Sequence, residues 1–145
     1  MINTSVGKMP KKRTLSSQSK IHIEYIDKAF QAICDYYNVS PELMKSKAQN
    51  RPIVFYRQCA MKYMFEHIAQ PIRVSQDYIG KVYFNRDHTT IVHARKLLDN
   101  FRDINDSHYH EYLLLFRHMS LLNFRYSTTA EDLSEYPTMQ PYYSK

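Results

Sequence analysis

Twelve residues near the middle of the chain, "NRDHTTIVHARK" at 85–96, hold one acid, two histidines, two threonines and three bases. Those residue types serve three chemistries: metal ligation, acid–base catalysis, or reading the edges of nucleic-acid bases. Spacing separates them. His88 and His93 are five apart, which at 3.6 residues per turn sets them about 140° from each other around a helix, so one helix does not offer both to a metal. His108 and His110 add no Cys/His zinc spacing, and no metal site is expected. Asp87 beside His88 imitates an acid–base pair, but sequence neighbours at a helix start are not expected to face each other. The only two glycines, Gly7 and Gly80, cannot make a phosphate-cradling loop, and no serine elbow or paired-carboxylate pocket accompanies the stretch. Neither an enzyme nor a cofactor is expected.

Base reading fits the pattern better. A short helix from Ser75 to about Phe84, a tight turn at Asn85–Arg86 and a helix opening at Asp87 form a helix-turn-helix. In such a unit the second helix presents its first turn to the major groove. Here that turn offers His88, Thr89 and Thr90. Threonine methyls suit thymine methyls, while hydroxyls and the imidazole bond base donors and acceptors. Arg86, Arg95 and Lys96 are placed to neutralise phosphates, as are Lys45, Lys47, Lys81, Arg51 and Arg57. Asp87 is expected to cap its helix.

These residues need elements to hold them, and helical spacing supplies candidates. Ile23, Ile26, Phe30, Ile33, Cys34 and Tyr37 recur at three and four and predict a helix ending near Asn38. Ser40, Pro41 and Glu42 open a short second helix, followed by the polar basic loop "KSKAQNR". A third runs from Pro52 to about Ala69, with Val54, Cys59, Met61 or Met64, and Ile68 near the core, until Pro71 ends it. Ser75 caps the next, with Tyr78, Ile79, Val82 and Tyr83 on its apolar face before "FNRD" breaks it. Ile91, Ala94, Leu97 or Leu98, and Phe101 line the helix after Asp87. A last helix spans Ser107 to about Phe124, with Tyr109, Tyr112, Leu113, Phe116, Met119 and Leu122 or Asn123 at its boundary. No strand or repeat is evident. The expected fold is a small all-α helical bundle containing a helix-turn-helix: a basic N-terminal arm at 1–20, the domain at 21–124, and a loosely structured, tyrosine-bearing tail at 125–145.

Bulk properties agree. The 145 residues make room for one domain, and 43% hydrophobic content suits a globular core. The net charge is +6, unevenly distributed: residues 43–96 carry +7, while the segments on either side, 21–42 and 97–145, carry −3 each. A basic middle between acidic ends implies an anionic partner. Cys34 and Cys59 fall at apolar positions and read as small buried thiols in a reducing compartment. The longest apolar run, "YLLLF", is too short to span a bilayer, so a cytoplasmic, nucleoid-associated protein without a membrane partner is expected.

The stretch "YIGKVYFNRDHTTIVHARK" resembles the signature of the C-terminal DNA-binding domain of the bacterial replication initiator DnaA, its domain IV, a fold of the Trp-repressor type. Upstream, "ICDYYNVSPELMKSKAQNRPIVFYRQCAMKYM" is similar to that family's first helix, short helix, basic loop and long helix. The likeness covers about residues 22 to 118. It implies binding of double-stranded DNA at initiator-box-like sites, with Asp87, His88, Thr89 and Thr90 in the major groove. It also implies phosphate contacts from Lys47, Arg51, Arg57, Gln58 and His93. Gln49 stands where the family has a minor-groove arginine; it retains hydrogen bonding but not the charge favoured in narrow grooves. Residues 67–74 hold about four extra residues, Phe84-Asn85 replaces a Gly-Gly turn, and Leu97 replaces a lysine. No ATPase module accompanies the domain, so the expectation is a standalone DNA-binding protein. Its setting would be replication initiation, its regulation or transcription, in a host, phage or mobile element, with the host initiator or other replication proteins as further partners. The other expectation is an interaction or structural protein that keeps the fold and acts on a protein partner.

Overall fold

The computed structural model describes residues 17–124, with side chains from His22 onward; most of the expected arm and the whole tail lie outside the described residues. Six helices follow one another: α1 (Ser17–Tyr37), α2 (Pro41–Lys45), α3 (Arg51–Tyr63), α4 (Gln76–Ile79), α5 (His88–Asp103) and α6 (Ser107–Leu121). No strand occurs among the described residues. α1 begins at Ser17, inside the segment expected as an arm. Two helices continue through wider π turns, α3 over Met64–Ala69 and α4 over Gly80–Phe84, and a 3-10 turn over Gln70–Ile72 closes the first of these.

Capping explains the starts. The Ser40 hydroxyl accepts from the Leu43 N–H at 3.1 Å, and Ser75 does the same for Tyr78 at 3.0 Å. Asp87 accepts from Thr89, and Asp106, which sequence reading passed over, accepts from His108 at 2.8 Å. The ends are set by backbone geometry. Asn38, Arg73, Asn85, Asn105 and Asn123 take left-handed φ angles of 58°, 64°, 55°, 56° and 65°. Helices commonly stop on such a residue, usually glycine; a chain nearly without glycine uses asparagine, whose short polar side chain tolerates the conformation. Asn85 thereby does what a turn glycine would do. Replacing it with alanine should lower unfolding free energy by about 1 kcal/mol, while Asn85→Gly should keep wild-type stability or better; urea unfolding checks both.

The core is built around α3. From Cys59 to Phe65 every residue is buried, because α1, α2, α5 and α6 surround the helix and α4 meets its wide-turn extension. A helix covered on all sides has no single apolar stripe, so Met61 and Met64, offered as alternatives by the spacing, are both inside. α1 contributes Ile26, Phe30, Ile33 and Cys34; α5 contributes Ile91, Ala94 and Leu98; α6 contributes Tyr112, Leu113, Leu115, Phe116 and Met119. Both cysteines are buried free thiols, and burial raises the pKa of each to about 12.

The largest correction concerns the second half of α4. Val82, expected on the apolar face, is 39% exposed, whereas Phe84, assigned to the break, is fully buried against Phe30. The π turns over Gly80–Phe84 shift the phase of the helix, so the inward positions become Tyr83 and Phe84. α6 ends at Leu121, and Leu122 and Asn123 stand exposed at its boundary, as the spacing suggests. Val54 and Leu97 are half-buried.

Candidate nucleic-acid interface

α4, its wide turns, the three residues 85–87 and α5 form the helix-turn-helix. Asn85 reverses the chain, and the Arg86 N–H donates to the Gly80 carbonyl at 2.8 Å, closing the turn on the preceding helix. Gly80 is needed there for space alone. Its φ is an ordinary −62°, but a Cβ would lie 2.7 Å from the Arg86 carbonyl oxygen and 3.3 Å from that of Asp87.

Asp87 then starts α5. Its carboxylate accepts from the Thr89 N–H at 3.3 Å, and Oδ1 lies 2.9 Å from His88 Nδ1. The bond from Thr89 leads the causes that hold this carboxyl below its ordinary pKa, with His88 adding to it, so the cap is ionised at neutral pH. Asp87 and His88 do face each other, against the sequence expectation. The neighbour rule applies to residues inside a helix, and Asp87 is a cap with extended backbone, φ −73° and ψ 157°, free to fold its side chain over the first turn.

The expected readers and phosphate contacts divide between two concavities that share Arg86. One is an open hollow of about 630 Å³ lined by Asp77, Lys81, Asn85, Arg86, Asp87 and His88. The other, about 430 Å³, lies between the basic loop, α3 and α5 and brings Gln49, Arg57, Gln58, Arg86, Thr90 and His93 together. Thr89, Lys47, Arg51 and Lys96 are exposed. Residues forty positions apart in sequence thus share one surface. Asp77 is the site residue that sequence reading missed: it lies 3.5 Å from Lys81 Nζ and 4.0 Å from His88 Nδ1. With Asp87 and His88 it forms a grouping whose ligand atoms fall within 4.8 Å of one another, all three exposed. Its ten-residue distance from Asp87 gave no periodic signal.

Three arginines expected at phosphates have two or more of their guanidinium nitrogens engaged within the protein. Arg95 Nε donates to Glu66 at 2.9 Å and Nη1 to Gln76 at 2.8 Å, with the guanidinium 4.8 Å from the Phe65 ring centre. Arg57 is buried and donates to backbone carbonyls of the α2–loop segment. Arg86, half-buried, reaches the same segment from the turn. A charge count locates cations but says nothing about their partners. Glu66, fifteen residues beyond Arg51 on the extension of α3, supplied one of those partners unannounced.

This fold defines a small all-α domain of the helix-turn-helix class. Residues 26–97 match the bacterial dnaA protein helix-turn-helix family. The chain is 33% identical over 81 residues to the chromosomal replication initiator protein DnaA of Flavobacterium psychrophilum, and 32% identical over 87 residues to that of Zymomonas mobilis. Those alignments cover 56% and 60% of this chain but only 16% of either relative. Among the described residues no helix is long and apolar enough to cross a membrane.

Proposed function

We propose that the domain binds double-stranded DNA with sequence preference, at sites like those of the replication initiator, and acts in replication initiation or its control. The observation that supports this most is the shared surface, where Gln49 of the basic loop stands beside Thr90 and His93 of α5. In this reading Asp87, His88, Thr89 and Thr90 meet base edges in the major groove, Gln49 meets the minor groove, and Lys47, Arg51, Gln58, His93 and Lys96 meet the backbone. The exposed cations Lys47, Arg51 and Lys96 supply charge; Gln58 and His93 supply hydrogen bonds.

Titration of a fluorescent duplex carrying an initiator box tests this. Three neutralised phosphates give a salt slope of about −2.7, so affinity should fall roughly 40-fold between 50 and 200 mM salt. His88→Ala and Thr89→Ala should each cost about 1–3 kcal/mol of discrimination between the box and a scrambled duplex. Equal affinity of wild type for both duplexes would sink sequence reading, and absence of binding at low salt would sink DNA binding altogether.

A further inference from the structure

We propose that Arg57 and Arg86 are positioning residues: together they clasp the carbonyl end of α2 and hold the 46–50 loop and the start of α5 in one fixed relation, rather than contacting phosphates. The DNA part of this rests on the reading above; the clasp itself belongs to the free protein.

α2 is only five residues long. Its last carbonyls have no partners within the helix, and a helix this short does not persist alone in water. Arg57 reaches it from α3, with Nε donating to the Met44 carbonyl at 2.9 Å, Nη1 to Ala48 at 3.2 Å and Nη2 to Ser46 at 3.2 Å. Arg86 reaches it from the turn before α5, with Nη2 donating to Ser46 at 2.7 Å and Nη1 to Lys45 at 3.3 Å, while Nη1 also holds Phe84 at 2.6 Å. The Ser46 carbonyl is therefore shared by both guanidiniums. Two cations at a helix carboxyl end complement its partial negative charge, and the planar five-donor fork suits a fan of carbonyls as an ammonium does not.

All three Arg57 nitrogens are engaged, and the residue is 5% exposed, so it presents nothing to a phosphate in this arrangement. Burial, with the Arg86 charge beside it, lowers its pKa from the ordinary value, which is the cost of holding two guanidiniums against one segment. Beyond Ser46 the loop leads to Gln49, which is exposed. Arg86 immediately precedes Asp87, so the cap of α5 and the loop that carries Gln49 hang from the same carbonyl. A minor-groove probe and a major-groove helix tied at one point meet DNA already spaced, without ordering the loop on binding.

Hydrogen exchange and DNA titration together test this on the whole chain. In free Arg86→Ala, amide exchange over residues 46–50 should speed up about tenfold or more while the middle of α6 stays at the wild-type rate. Arg57→Lys, which keeps the charge and is safer for folding than truncation, should loosen the same loop. Both variants should bind the duplex more weakly with the wild-type salt slope. Unchanged exchange over 46–50 in both variants overturns the clasp. A salt slope reduced in magnitude by about 0.9 in Arg86→Ala marks a lost phosphate contact and overturns it as well. Should wild type fail to bind any duplex, the DNA reading falls, and the exchange rates still decide the clasp.

Discussion

Replacing Glu66 with alanine should lower the unfolding free energy by about 3 kcal/mol, the largest loss expected from any single surface-reachable carboxylate in the domain. Glu66 sits in the wide turn that extends α3, where its side chain is 19% exposed. It accepts from Lys62 Nζ at 2.9 and 3.0 Å and from Arg95 Nε at 2.9 Å. Lys62 is buried in the last turn of α3, with Asp99 of α5 as its other carboxylate at 3.0 Å. Without Glu66, the Lys62 ammonium would depend on Asp99, which is 40% exposed, and Arg95 would keep only Gln76 and the face of Phe65. A buried cation stripped of its main partner costs several kcal/mol; the remaining partners place this case at the lower end. Glu66→Gln keeps the shape and an acceptor and should lose about half as much. Urea unfolding measures both, and a loss under about 1 kcal/mol for the alanine variant would show that the network contributes little.

Gly80→Ala should cost about 2 kcal/mol and weaken DNA binding in parallel. The added Cβ would stand 2.7 Å from the Arg86 carbonyl oxygen. That atom is backbone in the turn, not the end of a flexible side chain, so the turn itself must move. Arg86 and Asp87 move with it, and they carry the link to α2 and the cap of α5. Thermal melting reads the first effect and duplex titration the second. An alanine variant as stable as wild type would mean that the turn yields without resistance.

Much of this architecture is legible in the chain alone. Ser40, Ser75 and Asp87 announce their helices because a capping side chain acts on backbone two or three residues away, a relation that sequence displays directly. The spacings in α1 and α6 are equally plain, since each helix buries one face. What escaped is what depends on partners distant in sequence. Lys62 looks like a surface lysine until Asp99, thirty-seven residues on, is placed beside it. Arg57 and Arg86 look like free cations until the carbonyls of α2 are brought to them. The phase slip that exposes Val82 and buries Phe84 is invisible for another reason: wide helical turns carry no composition of their own, and a constant period of 3.6 is the only ruler that spacing provides. On the site, the loop at 46–50 and the first turn of α5 are recognisable as separate basic and polar stretches. Their meeting in one groove, and the presence of Asp77 at its neighbour, are tertiary facts.

The wide turns have a consequence for how this chain accommodates change in length. A helix of constant pitch transmits any added residue as a rotation of about 100° to everything beyond it. The extension of α3 through Met64–Ala69 does not behave as such a shaft. The straight part of the helix packs chiefly on α5, with α1, α2 and α6 around it, whereas the wide-turn segment itself packs on α1 and α4, so the two parts face different sets of neighbours. The turn works as a joint between two differently timed gears, taking up the mismatch so that neither side has to turn. Removing one residue from it should leave both halves helical yet swing Ile68 and Ala69 away from the core they now fill.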